Sequence, residues 1–205
     1  MATLNVAPTK SNLLSLKRQL AFAEEGYDLL EQKRQILILE LMSRLKRAQA
    51  MEQELEEFLR QAYAALREAT FASGADELDQ AALSVKCDHE LTIAYQHLLG
   101  LLIPKVTVRV TAPDAPLGGG NGAASTDVAL LSFVRLLPKL AELAELQTTL
   151  QRLARDLRKT QRRCNALSRI FIPAYRQTIG YIAGTLEERE REALTVLKMV
   201  RNRIR

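Results

Sequence analysis

The stretch Arg44–Thr70, RLKRAQAMEQELEEFLRQAYAALREAT, decides the fold. Its residues Ala48, Met51, Leu55, Leu59, Ala62, Leu66 and Ala69 recur at steps of three and four. That spacing keeps one stripe of a helix against a neighbouring helix along its whole length. Towards the N-terminus the stripe continues through Arg44, Leu41, Leu37, Arg34, Leu30, Tyr27, Ala23, Leu20 and Leu16. Thr9 or Ser11 can cap the helix, since a side-chain oxygen there satisfies free backbone N–H groups, and Pro8 disfavours helix at Ala7. Ser73-Gly74 supplies the stop, because glycine accepts the left-handed terminal conformation. Some 60 residues at ~1.5 Å each would reach roughly 90 Å, far beyond a helix of a globular bundle and suited to a coiled coil.

A second stripe answers the first near the other end of the chain. It runs through Leu136, Leu140, Leu143, Gln147, Leu150, Leu153, Leu157, Thr160, Cys164, Leu167, Phe171, Ala174, Thr178 and Tyr181. Pro138 is tolerable near the start of such a helix, whereas Pro173 lies deep inside and predicts a kink. Between the helices the pattern changes to alternation, in Leu91–Tyr95 and in the β-branched Val106–Val110. This predicts a β-hairpin, 90–96 paired with 104–111, followed by a flexible loop around Gly118–Gly122. The expected fold is mainly α, a long antiparallel two-helix coiled coil with a small central insert. Its expected segments are an extended N-terminus over 1–10, a helix over 11–73, the insert over 74–127 and a helix over 128–205. Two helices alone bury limited apolar area, so part of the seam is expected to await partner chains.

Composition excludes several functions. Leu, Ala, Glu, Gln, Arg and Lys dominate and Trp is absent, a mixture suited to long helices. The net charge of +5 is modest for 205 residues, and both signs interleave along the helices. Two cysteines, Cys87 and Cys164, make no disulfide framework, so a reducing, cytosolic setting is the default. The N-terminus carries no secretory signal core, and no apolar run approaches the ~20 residues of a bilayer span. The glycine cluster 118–122 lacks the Gly-Lys-Ser/Thr ending of a phosphate-binding loop. His89 and His97, with Cys87 and Asp88 nearby, do not make a four-ligand zinc set. No nucleophile, base and orienting group fall into a recognisable arrangement. The sequence therefore predicts no catalytic site, no cofactor and no metal.

The densest charge lies between Arg152 and Arg169, where Arg152, Arg155, Arg158, Lys159, Arg162, Arg163 and Arg169 face a single acid, Asp156. One reading is a solvated face offset by Glu52, Glu54, Glu56 and Glu57 on the partner helix. The other is a contact surface for an acidic protein groove. Nucleic acid is disfavoured because base-stacking aromatics are missing nearby. Arg34 and Arg44, at seam positions, are expected to snorkel or set register. Gly180 and Gly184 have a spacing that lets another backbone approach.

Two strings carry more than composition. One is Val6-Ala7-Pro8-Thr9-Lys10-Ser11-Asn12-Leu13-Leu14, then Leu16-Lys17-Arg18, Gly26-Tyr27-Asp28-Leu29-Leu30 and Lys33-Arg34. The other is Arg162-Arg163-Cys164-Asn165-Ala166-Leu167, then Ile172-Pro173, Thr178-Ile179, Tyr181-Ile182 and Leu186-Glu187-Glu188-Arg189-Glu190-Arg191-Glu192. In this order, over nearly the full chain, they resemble the D-subunit family of V/A-type ATP synthases and V-type ATPases. The resemblance implies a non-catalytic central rotor shaft that couples ATP synthesis or hydrolysis to proton or sodium transport. It implies as partners the hexamer of catalytic A and regulatory B subunits, the F subunit on the shaft's side, and the C subunit (d in eukaryotic enzymes) at the lower end. Pro8–Arg18 and Tyr181–Arg205 would lie inside the hexamer, and Arg162–Leu167 on the shaft surface. The cations so presented are Lys10, Lys17, Arg18, Arg162, Arg163, Arg189, Arg191 and Arg201. The location implied is cytoplasmic and peripheral to the membrane. One departure stands out: Ala193–Val200 replaces the family's usual acidic-aromatic-arginine run. The rival readings are a free-standing coiled-coil scaffold and, more distantly, a basic nucleic-acid binder.

Overall fold

A computed structural model describes residues 5–84, 89–111 and 123–204. Helix α1 spans Lys10–Ser73 and helix α2 Ala75–Ser84; strands β1 (Glu90–Leu98) and β2 (Leu101–Arg109) follow. Helix α3 spans Ala123–Ala166, a π-helical turn spans Leu167–Phe171, and helix α4 spans Ile172–Ile204. The chain divides into two compact units, Met1–Ile36 with Asp156–Arg205, and Leu37–Arg155.

In the first unit α1 begins at a cap supplied by Thr9. Its Oγ1 accepts the Asn12 N–H at 3.2 Å and its carbonyl accepts the Leu13 N–H at 3.0 Å. The start of α1 and the helical segments after Asp156 pair antiparallel. Polar contacts join Lys10 to Glu190, Glu24 to Arg176, and Lys33 and Arg34 to Asp156 and Gln161, so that positions further along α1 meet positions further back in the second partner. The line between them is thin: Leu16 and Ala23 from one side, Thr160, Cys164, Thr178 and Ile182 from the other, all buried. Thr178 spends its hydroxyl on the Ala174 carbonyl at 2.8 Å. Arg34, half-buried at the seam, donates to Glu31 on its own helix and to Gln161 across the pair at 2.8 Å. It therefore ties register, as its seam position predicts.

Pro173 acts differently from a simple kink. Lacking an N–H, it cannot continue the α ladder, and the turn just before it widens to the π form, in which the Ile172 N–H donates to the Leu167 carbonyl. The widened turn adds about one residue to the helical repeat. Two expected seam residues, Phe171 and Tyr181, face solvent, while Thr178, also expected, is buried beyond the turn and is followed by the fully buried Ile182.

The second unit has the more apolar interior. Leu55 and Ala62 of α1 pack against Leu136 and Leu143 of α3, with Met51, Leu59 and Phe133 around them. Tyr63 meets Phe133 edge-on at 5.5 Å between ring centroids. Lys139 lies 4.3 Å above the Phe58 ring and pairs with Glu54, while Arg47 pairs with Glu142. Arg44, also at a seam position, turns back to Glu40 at 2.6 Å on its own helix. Gly74, at φ +83°, ends α1, and α2 follows directly with Asp76 and Glu77 in its first turn, where helix-dipole charge favours acids. Helix α2 has no counterpart in the sequence expectation.

The hairpin is longer, and its turn tighter, than the strands 90–96 and 104–111 expected from alternation. Leu98 pairs with Leu101 across a two-residue turn, Leu99-Gly100, with φ of +52° and +79°. Both positive values define the turn whose twist matches a hairpin, and a leucine gave no warning of one. The register also explains Pro104. It opposes Tyr95, a position whose backbone points away from the partner strand, so its missing N–H removes no ladder bond. The outward edge of β2 is covered by α3. Glu145 accepts the Val106 N–H at 2.8 Å, and Arg152 donates to the Leu102 carbonyl while lying 5.7 Å from the Tyr95 ring. Because α3 faces both α1 and β2, its buried arc is wider than a two-helix seam. Leu146 and Thr149 are buried, whereas the expected seam residues Leu140 and Gln147 are exposed.

Two stability outcomes follow from this packing. Leu153→Ala, which empties a fully buried site, should lower unfolding free energy by about 3 kcal/mol in urea titrations monitored by circular dichroism. Leu99→Asn should raise it by about 1 kcal/mol, because asparagine tolerates the left-handed conformation that strains leucine.

Candidate interaction surfaces

The described interior holds no cluster of reactive groups. Among the described residues no three His, Cys, Asp or Glu side chains gather as a metal site. Cys164 is buried at the seam, and burial first, then the nearby Glu31, push its thiol pKa up, so it stays protonated and unreactive at neutral pH. His97 lies exposed on β1; Cys87, Asp88 and the glycine loop 118–122 lie outside the described residues.

What the molecule offers is surface, and its cations fall into two groups. Among the eight expected contact residues, three are engaged internally. Lys10 pairs with Glu190 at 2.7 Å, Arg191 with Glu187 at 2.6 Å one turn earlier, and Arg189 donates to the Pro8 carbonyl at 3.4 Å. Lys17, Arg18, Arg162, Arg163 and Arg201 are exposed and make no ion pair or hydrogen bond among the described residues. The same holds for Arg158, Lys159 and Arg169.

The acids expected to offset the Arg152–Arg169 stretch are not arranged to do so. Glu54 serves Lys139, and Glu56 serves Arg60 on its own helix. Asp156, the one acid within the stretch, stands 2.9 Å from Lys33 Nζ, close enough for an ion pair though not aligned as a hydrogen bond. The cations are therefore left with uncompensated charge, because helical periodicity carries them round the side of α3 that looks away from the seam.

The second surface is apolar. Beyond Glu190, helix α4 has no helix beside it among the described residues, and every position from Glu187 to Arg203 is exposed. Leu194, Val196, Leu197 and Val200 thus stand in solvent on a single helix. A third surface, unforeseen from the seam pattern, is a groove of about 300 Å³ in the first unit, lined by Gln19, Phe22, Ala23, Gly26, Leu167, Phe171 and Tyr175. The available signal was Phe22, a large apolar residue off the seam, one turn from a mid-helix glycine. The fourth is β1, whose Leu91, Ile93 and Tyr95 are exposed beside an open strand edge.

The Lys10–Glu190 pair has a defined pH signature. Each partner's hydrogen bond and charge raise the lysine pKa and lower that of the carboxyl. A depressed carboxyl stabilises above the ordinary carboxylate range and loses that contribution as pH falls through its folded value. A raised lysine keeps its contribution up to the ordinary lysine range and loses it as pH climbs through its folded value. Both groups are fully exposed, so the pair is salt-screened. Glu190→Gln should return the Lys10 pKa to its ordinary value, read by NMR at the side-chain nitrogen, and leave the melting temperature nearly unchanged.

Comparison with known proteins accounts for a structure whose described residues offer surfaces and no cluster of reactive groups. Residues 12–202 match the family model of the ATP synthase D subunit. The V-type ATP synthase D subunit of Thermotoga neapolitana is 33% identical over 98% of this chain and 99% of its own length. The second V-type ATP synthase D subunit of Treponema pallidum is 39% identical, covering 97% and 95%. The A-type ATP synthase D subunit of Thermococcus sibiricus is 36% identical, covering 97% and 94%. No described helix is long and apolar enough to cross a membrane. The chain belongs to the ATP synthase D-subunit family, and is a non-catalytic central-stalk rotor component of a V/A-type ATP synthase.

Proposed function

We propose that the first unit is the end driven by the catalytic hexamer, with Pro8–Arg18 and Tyr181–Arg205 inside a ring of A and B subunits. The observation that carries this reading is the single-helix end of α4. A soluble helix that leaves Leu194, Leu197 and Val200 uncovered gains free energy when a sleeve removes them from water, about 1.5 kcal/mol or more per fully covered side chain. The free cations Lys17, Arg18 and Arg201 suit the same position. A shaft that turns against successive similar faces needs contacts that exchange readily, and exposed ion pairs are worth only about 0–1 kcal/mol each. Lys10, Arg189 and Arg191 have a different part in this reading, fastening the start of α1 to α4 or stiffening α4 itself.

The remaining partners follow the same logic. The F subunit docks on the side of the shaft. The C subunit (d in eukaryotic enzymes) engages the unit that carries the hairpin, where Leu91, Ile93 and Tyr95 offer an apolar strip. The assembly sits on the cytoplasmic face of the membrane and moves protons or sodium ions through its other subunits.

The double substitution Leu194→Asp, Leu197→Asp tests the driven end. Both side chains are exposed, so the isolated protein should melt as before. Co-migration with a reconstituted A–B hexamer should weaken by at least about ten-fold, with loss of coupled turnover. Unchanged assembly and coupling would overturn the placement.

A further inference from the structure

The groove in the first unit contains an oddity that the chain alone does not explain. Gly26 lies in the middle of α1, where glycine is the poorest helix former except proline, yet a Cβ there would meet nothing within 4 Å. No internal close approach requires it. Beside it Phe22 is 79% exposed, and across the groove Phe171, turned outward at the π turn, is also exposed. Aromatic side chains standing either side of an open glycine floor form a receptor for an apolar ridge.

Charge states what kind of ridge. From α3 through the π turn into α4, the row that lines the groove, Leu167, Phe171 and Tyr175, extends back through Arg163 to Lys159. On α1 the corresponding row extends from Phe22 back to Arg18. The helices are antiparallel, so Arg18 marks one end of the groove and Lys159 with Arg163 mark the other. All three are exposed and unpaired among the described residues. The nearby acids Glu24 and Asp156 are held by Arg176 and Lys33, while Glu25 and Asp28, on either side of Gly26, make no ion pair among the described residues. From Lys159 to Tyr175 is roughly 24 Å, or between four and five helical turns.

We propose that this groove receives an amphipathic helix of another protein of the rotary assembly, apolar at its centre and acidic towards both ends. The central residues enter over Gly26 between Phe22 and Phe171, and the terminal acids meet Arg18 on one side and Lys159 with Arg163 on the other. The apolar centre sets the affinity, and the paired ends fix the direction and register of the incoming helix. The proposal rests on the family reading only in requiring a second protein of the assembly, and it is independent of which end enters the hexamer.

The test uses the full chain with the photo-crosslinker p-benzoylphenylalanine in place of Phe22, assembled with the other soluble-sector proteins, irradiated and mapped by mass spectrometry. The expected product joins position 22 to one helical segment of a different protein, with Asp or Glu within two turns on either side. Adding Gly26→Leu should reduce that product by at least about ten-fold, while the isolated chain keeps its circular dichroism and melts no lower. Arg18→Glu with Arg163→Glu should reduce it comparably, and Arg18→Lys with Arg163→Lys should restore most of it. A cross-link to a second copy of this chain, to nucleic acid or to a segment without flanking acids would overturn the proposal, as would full yield with Gly26→Leu. Co-migration with the hexamer but no cross-link would overturn the groove alone; loss of co-migration in the unlabelled wild-type chain would overturn both it and the rotor placement.

Discussion

Each unit of this protein depends on the pairing of one long helix against another with, among the described residues, at most a local further layer outside it. In a bundle or an α/β domain, a side chain leaving the centre is met by more protein; here it is met by water. The buried set is consequently a single file, Leu16, Ala23, Leu37, Ala48, Leu55, Ala62 and Ala69 along α1. Four of the seven are alanine, which lets helix backbones approach and buries little area in return. Ion pairs on either side of the file are exposed or half-buried, and the contributions of the exposed ones are small.

The two interiors respond to that constraint in different ways. The second unit adds a layer locally: the hairpin lies on α3 through Glu145 and Arg152, and α3 buries Leu146 and Thr149 in addition to its seam. The first unit adds none and fills its file with Thr160, Cys164 and Thr178, with Arg34 and Gln161 bridging at the border. Register in the first unit is held by the Arg34–Gln161 hydrogen bond, since Thr178 spends its hydroxyl on its own helix, whereas an apolar file holds register through shape. For a shaft this division is serviceable, because register must survive torque even where apolar burial is least.

The parts of this architecture that follow from local chemistry were legible in the sequence. The three-four stepping of α1 matches its buried file, Thr9 caps the helix, and Gly74 ends it in the left-handed conformation that glycine permits. What depends on a neighbour was not legible. The stripe on α3 is read wrongly at Leu140 and Gln147 because periodicity assumes one partner and α3 has two. It also misses at Phe171, which stands on the π turn that Pro173 imposes, and at Tyr181, where the neighbouring Ile182 is buried. The turn at Leu99-Gly100 escapes notice because only one of its two left-handed residues is a glycine. Pairing was the largest omission: a string of cations reads the same whether its acids are aligned or not, and only geometry separates Lys10, held by Glu190, from Arg163, held by nothing among the described residues.

That separation bears on how a non-catalytic chain has a function at all. A cation already paired offers little to a partner, since forming a new contact costs the old one. An unpaired cation surrounded by water projects a field that decays over a Debye length of about 8 Å at physiological ionic strength. Exposed apolar residues show a parallel division. Scattered ones such as Phe71 need no explanation, while those lined up along the end of α4, in the groove at Gly26 and on β1 each form a continuous strip. In a chain whose own pairing covers only one file of residues, the uncovered strips and unpaired charges amount to most of the remaining information in the sequence.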